Sequence, residues 1–317
     1  MPERFRESPQ AIEPNMGPVN TKMQDLLNRC LYLPKRHPLE IEYYDWDKIR
    51  PRSIDPDFVN CLRFVALVES NPDAPAKNLL RAADAGGATW QRRFVEETWL
   101  PEEHMHGVVL RELAIRCGTS QPLIDEEIEQ VRAREFTIGT NYSSLKTNIY
   151  GWLQEATTWM FYRAMASATD NPVIKKVLTD ISTQENFHRF IYFQGAKSTL
   201  ANNPNLSRQV VETVGEFVMP GYVMAPELQP EAPRWAKKFN FPTSTLLHEE
   251  VTGLLGLVGH QGLGKSLIAY GAKNSPLPLL RPLLSLLSKA SIPPVYYLTG
   301  RAVEEVSKRD QERQNKV

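Results

Sequence analysis

Two Glu-x-x-His pairs stand out from the rest of the chain: Glu103 with His106, and Glu185 with His188. On a helix, residues three apart share a face about one turn apart, so both side chains of a pair reach toward one point. A carboxylate and an imidazole offered in this way can hold one metal from one side, and the Glu can extend to a second. A carboxylate-bridged pair of metals needs one further Glu from each of two other helices. The sequence supplies a candidate for each. Glu155 is the lone acid in Trp152-Leu153-Gln154-Glu155-Ala156-Thr157-Thr158-Trp159, and Glu69 is the lone acid in Phe64-Val65-Ala66-Leu67-Val68-Glu69. The order along the chain is Glu, Glu-x-x-His, Glu, Glu-x-x-His.

Taken singly, each of these residues reads as a surface acid or a satisfied histidine, because acids are mostly exposed. One Glu-x-x-His arises readily by chance. The joint pattern reverses that reading for Glu103, His106, Glu155, Glu185 and His188. Their apolar helical neighbours place them toward a core, where an isolated Glu or His is costly unless paired or metal-bound. Glu69 has rivals in Asp73, Glu96 and Glu97, and Pro72 follows it closely; Glu96 and Glu97 read as a solvated face leading into Trp99. His104 points about 100° away from Glu103 around the helix, toward solvent or a supporting position.

The elements that must position these residues are helices. Asp55 or Asp57 caps a helix through Phe58, Leu62, Val65 and Ala66. A second helical stretch starts near Pro75, is bent or restarted at Gly86-Gly87, and continues through Trp90–Ala114. Leu123–Phe136 reads as a short amphipathic helix. Asn141 or Ser143 opens a long helix through Ala168, and apolar residues at 173, 174, 177, 178, 181 and 191 carry the next one to about Ser198. Strand signals are sparse, so the expected fold is an all-α bundle. Residues 1–20 read as a flexible or surface-laid arm, with four prolines and no periodicity. Residues 21–317 read as one helical domain, its core bundle at about 55–200 and a mixed helix and loop extension beyond.

Composition bounds the rest. Of 317 residues, 42% are hydrophobic and 23% charged, as in a globular protein; Lys plus Arg and Asp plus Glu balance at 37 each. No global field argues for nucleic acid or an anionic membrane. The apolar runs are too short to span a bilayer. Cys30, Cys61 and Cys117 are widely spaced and suit a reducing compartment, and no signal-type segment opens the chain, so a cytoplasmic location is expected. Gly259-His260-Gln261-Gly262-Leu263-Gly264-Lys265-Ser266 fits the phosphate-loop template, but no β-α-β alternation follows it, and the only Asp after it is Asp310. A chance match in a glycine-containing helix or turn is the better reading.

The run Trp99-Leu100-Pro101-Glu102-Glu103-His104-Met105-His106-Gly107, followed by Leu110-Arg111-Glu112-Leu113, resembles the soluble acyl-acyl carrier protein desaturases of plants and actinobacteria. In that family a Trp-x-x-Glu-Glu-x-x-His-Gly run supplies one half of a di-iron site. Gln154-Glu155-x-x-Thr158 is similar to the family's next ligand helix, Glu185-x-x-His188 to its final ligand pair, and Val68-Glu69 before Pro72 to its first ligand segment. The resemblance covers about residues 40–200. It departs at Gln184, where the family commonly has Asp, and in the C-terminal third.

The resemblance implies a ferritin-like bundle holding two Fe ions. Glu103 and Glu185 would bridge them, with Glu69 and Glu155 binding one iron each beside His106 and His188. Thr158 would help deliver protons near the oxygen-binding side. Oxygen, an external ferredoxin-type electron donor and an acyl chain carried on acyl carrier protein would be the reactants, a cis double bond the product, and a homodimer the working state. Carrier proteins are acidic, so Arg92, Arg93, Lys146, Lys175 and Lys176 are candidates for a docking face. Trp152, Trp159, Met160 and Phe161 are candidates for the wall of an apolar tunnel. The departures leave hydroxylation or another oxidation of a carrier-tethered substrate as the alternative outcome, and a non-catalytic helical binding protein as a further one.

Overall fold

Among the described residues the chain is helical where apolar residues recur at helical spacing, and no strand forms. The structure is a computed structural model. It describes residues 15–31, 38–136 and 143–242 apart from 216 and 218, with a few positions between 245 and 259. The phosphate-loop-like run after Gly259 lies outside the described residues. The chain divides into two compact units, one holding the chain up to Ser198 together with Val218–Phe241, the other holding Thr199–Phe217 and Pro242–Val317. The first unit contains every candidate ligand.

Helix α1 (Gly17–Leu31) buries Val19, Met23 and Leu27, one turn apart on one stripe, and it begins inside the segment read as an arm. Helix α2 (Pro56–Val68) starts where the Asp55 side chain accepts from the N–H groups of Asp57 (2.8 Å) and Phe58 (3.3 Å), satisfying two donors that the first turn leaves open. Its C-cap is Glu69. Pro72 lies beyond that cap and precedes α3 (Asp73–Gly86), so the proline separates two helices and leaves Glu69 at an intact helix end.

After Gly87 the chain re-enters helix as α4 (Thr89–Phe94). It passes through a π-turn at Val95–Trp99 and continues as α5 (Leu100–Arg116). Wide turns of this kind occur often at functional sites. Helix α6 (Gln121–Arg132) packs on α2, where Arg63 and Glu127 form a half-buried ion pair. Helix α7 (Ser144–Ser167) is capped by the Ser143 hydroxyl, which accepts from the Lys146 N–H. Helix α8 (Pro172–Asn202) is opened by the Asn171 side chain, which accepts from the N–H groups of Val173 and Ile174. Shorter helices come after it among the described residues, including α9 (Ser207–Gly215), α10 (Gly221–Met224) and α11 (Ala232–Lys238).

Helices α2, α5, α7 and α8 carry the site. Their inward positions are filled by Leu62, Val65, Leu110, Leu113, Ile149, Ile174, Leu178 and Ile181, all buried. Each such side chain contributes about 1.5–3 kcal/mol on leaving water. Helix α2 lies along α5, and the Ser182 hydroxyl of α8 donates to the Trp159 carbonyl of α7 at 3.1 Å. Residues 219–241 close the bundle beside α2, with Phe239 against Phe58 and Trp235 against Phe64. Among the described residues no helix is long and apolar enough to cross a membrane.

Candidate metal centre

Each of the four helices places one or two ligand-type side chains on its inner face. Helix α5 brings in Glu103 and His106, α7 Glu155, α8 Glu185 and His188, and Glu69 enters from the end of α2. Glu103, His106, Glu155, Glu185 and His188 are each at most 3% exposed. Glu69 is half-buried, with surface on a neighbouring cavity, but its carboxylate belongs to the cluster. A carboxylate at a helix C-terminus also faces the negative end of the helix dipole, so nothing local favours it there.

The six residues form two overlapping groups. Glu69, Glu103, His106 and Glu185 offer ligand atoms within 4.8 Å of one another, and so do Glu103, Glu155, Glu185 and His188. Glu103 and Glu185 belong to both. His106 Nδ1 lies 3.3 Å from Glu185 and 3.6 Å from Glu103, while His188 Nδ1 lies 3.1 Å from Glu103 and 3.4 Å from Glu185.

The outer atoms of the cluster are held by other side chains. His106 Nε2 is 2.9 Å from Gln184 Oε1, and His188 Nε2 is 2.8 Å from Glu102 Oε2. A carbonyl or carboxylate oxygen only accepts, so each Nε2 carries a proton, and each Nδ1 is the ring atom that faces inward. Trp99 Nε1 donates to Glu155 at 2.9 Å, and the Tyr162 hydroxyl donates to Glu69 at 2.7 Å. The inner atoms fare differently. Glu103 Oε1, Glu185 Oε1 and His106 Nδ1 are buried without a hydrogen-bond partner, although such atoms are costly to leave in that state.

Charge tells the same story. Burial pushes Glu69 and Glu185 well above the usual carboxylate range, and repulsion from Glu103 adds to it. Glu155 rises to about 7 for the same two reasons. Burial also opposes the charge on Glu103, but His106 and His188 beside it overcome that and hold it below its ordinary value. Burial disfavours the charged imidazole too; Glu103 nevertheless lifts His106 to about 9, and the hydrogen bond to Glu102 leads the groups that lift His188 well above its ordinary value. With only side chains to balance it, the cluster retains protons where cations would neutralise it.

Four carboxylates and two neutral imidazoles match the charge of two divalent ions, and oxygen with imidazole nitrogen is a donor set suited to iron and its neighbours. The orphaned inner atoms and the inward-facing Nδ1 atoms, once their protons are displaced, fit such a pair.

An apolar cavity of about 210 Å³ opens beside Glu69. Glu69, Gln154, Thr157, Thr158 and Tyr162 give it a polar edge, and Phe64, Val68, Phe161, Met219 and Phe241 form its apolar wall. The Thr158 hydroxyl donates to the Gln154 carbonyl at 2.9 Å. Of the four candidates for a tunnel wall, Phe161 lines this cavity. Trp152 and Met160 are buried elsewhere, and the Trp159 ring carries the guanidinium groups of Arg163 and Arg189 at 5.4 and 4.4 Å from its centre.

The defining sequence pattern of the fatty acid desaturase family matches residues 76–240, just over half of the chain. The chain belongs to the fatty acid desaturase family. Two curated proteins of Mycobacterium tuberculosis, one from each of two strains and both provisionally named acyl-acyl-carrier-protein desaturase DesA1, are similar to it at 24% identity over 198 residues. That alignment covers 59% of this chain and 57% of theirs, so the chain spans just over half the length of these relatives.

Within this desaturase-family bundle the rivals to the ligand set lie apart from the cluster. His104 and Asp73 are exposed and 3.5 Å from each other, and Glu96 and Glu97 pair with Arg92 and Arg93 on the surface. The sequence alone does not assign Glu102, Trp99 or Tyr162 to the site, and it marks Gln184 only as a departure from the family pattern. Trp99 and Glu102 stand one turn apart on the stretch that leads to Glu103. Tyr162 lies two turns beyond Glu155 on the same face of α7. Those spacings are the local signals available for finding them.

Proposed function

We propose that this protein is a di-iron, oxygen-dependent desaturase that introduces a cis double bond into an acyl chain delivered on acyl carrier protein. The observation that carries the reading is the pair of overlapping ligand groups sharing Glu103 and Glu185 and bordered by an apolar cavity at Glu69. Membership of the fatty acid desaturase family and the similarity to proteins named as carrier-dependent desaturases support the substrate class.

A bound iron pair would supply what no side chain can, the reduction of oxygen to an oxidant strong enough for an unactivated C–H bond. The remaining work falls to the chain. Phe64, Val68, Phe161 and Phe241 hold the acyl chain and keep water from it. Glu69 is the ligand nearest the bound chain, and Tyr162 fixes its carboxylate by donating to one oxygen. Gln184 and Glu102 fix the two imidazole planes and keep Nδ1 as the ligand atom. Thr158 stands on the cavity wall with its hydroxyl proton on the Gln154 carbonyl, placed to pass a proton at Oγ1 toward the cavity. Electrons come from a ferredoxin-type donor.

Of the basic candidates for carrier docking, Arg92, Arg93 and Lys176 already engage Asp84 with Glu96, Glu97 and Asp180. A carrier binding on them competes with those pairs, which are exposed and individually weak.

The test is anaerobic iron loading, then reduction, oxygen and a panel of acyl carrier substrates, with products read by mass spectrometry. Loss of two hydrogens supports desaturation, while gain of one oxygen refutes it in favour of hydroxylation. A well-folded protein that binds no metal, with or without Glu185→Ala, overturns the site as well. Thr158→Val is expected to retain metal and lower turnover about 100-fold, the lower end of the usual range for a positioned proton-transfer group.

A further inference from the structure

The two histidines of the cluster are held from behind by different chemistry. His188 Nε2 lies 2.8 Å from the carboxylate of Glu102, whose side chain is 21% exposed. His106 Nε2 lies 2.9 Å from the amide oxygen of Gln184, which is 8% exposed. The remainder of the two ligand groups is nearly symmetric: each has Glu103, Glu185, one histidine through Nδ1, and one further Glu. The terminal carboxylates differ little in this respect. Glu155 accepts from an indole N–H and Glu69 from a phenol, both neutral donors, so they do not offset the asymmetry at the histidines.

We infer that Glu102 and Gln184 make the two metal positions unequal, so that the position at Glu155 and His188 binds its ion first and more tightly than the position at Glu69 and His106. The inference rests on the metal-pair reading above. A carboxylate accepting the Nε2 proton draws it away from the ring, raises electron density on Nδ1 and adds a negative charge behind the ligand. An amide oxygen fixes the same tautomer without the charge. Outer partners of this kind change metal affinity by about 10- to 100-fold. Glu102 and Gln184 are positioning residues, since both act through an imidazole.

The inequality has a spatial sense. The weaker position contains Glu69, the ligand that borders the cavity, and the tighter position lies at Glu155, which the cavity does not reach. The protein therefore passes through a one-metal state with its ion at the Glu155 end, and the cavity-side position fills last.

Anaerobic titration of the full-length apoprotein with cobalt(II), monitored by visible absorption and calorimetry, tests this. The wild type should bind two ions in two steps. Glu102→Gln should weaken the first step by about 10- to 100-fold, and Gln184→Glu should strengthen the second by a similar factor, drawing the steps together. Gln184→Asn, which shortens the reach but keeps an amide, should not strengthen the second step. Thermal melts of each apoprotein identify any variant that fails to fold, and Glu102 and Gln184 act on separate steps, so either alone decides. Two steps that both variants leave unmoved overturn the inference while keeping the metal pair, and so does Glu102→Gln weakening only the second. Absence of any binding by the folded wild type overturns the metal pair itself.

Discussion

Replacing Gly107 by alanine should empty one metal position and spare the other. A Cβ at residue 107 would lie 2.6 Å from the carbonyl oxygen of Glu69, 3.2 Å from its carbonyl carbon and 3.3 Å from Ser70 Cα. All three neighbours are backbone, so no rotamer change relieves the clash. To restore an ordinary contact, the end of α2 must retreat from α5 by about 0.8 Å, which in a packed core costs about 1–3 kcal/mol. For a domain of this size each kcal/mol lowers the melting temperature by about 2–4 °C, so a drop of roughly 2–12 °C is expected. The same movement carries the Glu69 carboxylate out of a site that tolerates only about 0.5 Å of error. Glu69 belongs to the group with His106 and not to the group with His188. Metal analysis of Gly107→Ala should therefore give about one ion per chain where the wild type gives about two. Val108→Ala is the control, since Val108 is 41% exposed and should change neither quantity. A Gly107→Ala protein with wild-type melting temperature and both ions would refute the steric reasoning.

The same geometry sets three further outcomes. Glu69, Glu155, Glu185, His106 and His188 all hold protons in the folded apoprotein at a pH where the unfolded chain has released them. Apoprotein stability should therefore fall as pH rises from about 5 to about 9, with Glu155 alone contributing on the order of 3 kcal/mol from its rise to about 7. Glu103 has the opposite sign but acts only below the ordinary carboxylate range. Urea midpoints across that range, with and without cobalt(II), measure this; a flat or rising apoprotein profile contradicts it. Tyr162→Phe removes the donor 2.7 Å from Glu69 and should weaken the second metal step about 10-fold at a stability change of about 1–2 kcal/mol, checked by the same titration and by urea melts. Gly221→Ala would set a Cβ 2.6 Å from Phe64 Cζ and turn that ring into the cavity, so activity should shift toward shorter acyl chains in a substrate panel while metal content stays constant.

Much of the site can be read from the sequence because its ligands obey local rules. Glu103 with His106 and Glu185 with His188 keep helical spacing, and Glu155 is conspicuous as a charge on an apolar stretch. The supporting contacts obey no such rule. Gln184 meets His106, Glu102 meets His188 and Tyr162 meets Glu69 across 78 to 93 residues of chain, through pairings that only helix packing creates. Glu69 looks compromised by Pro72 when the two are read as parts of one helix; the proline instead separates α2 from α3. The far wall of the cavity comes from residues 219–241, where four prolines and Gly221 erase any period. The π-turn at Val95–Trp99 has no compositional signature either.

That turn has a consequence for what this centre can tolerate. A wide turn holds one residue more than an α-helical turn and so resets the helix by about 100°. Upstream of it Phe94 packs edge-on against His188 and Tyr192, and downstream Glu103 and His106 meet the same helix α8 at His188 and Glu185. An unbroken α-helix would place Phe94 and Glu103 on opposite sides. Alignment of the centre therefore depends on the number of residues between Phe94 and Glu103 as much as on their identities. A single deletion there would rotate a whole ligand pair out of the bundle with every ligand residue still present in the sequence.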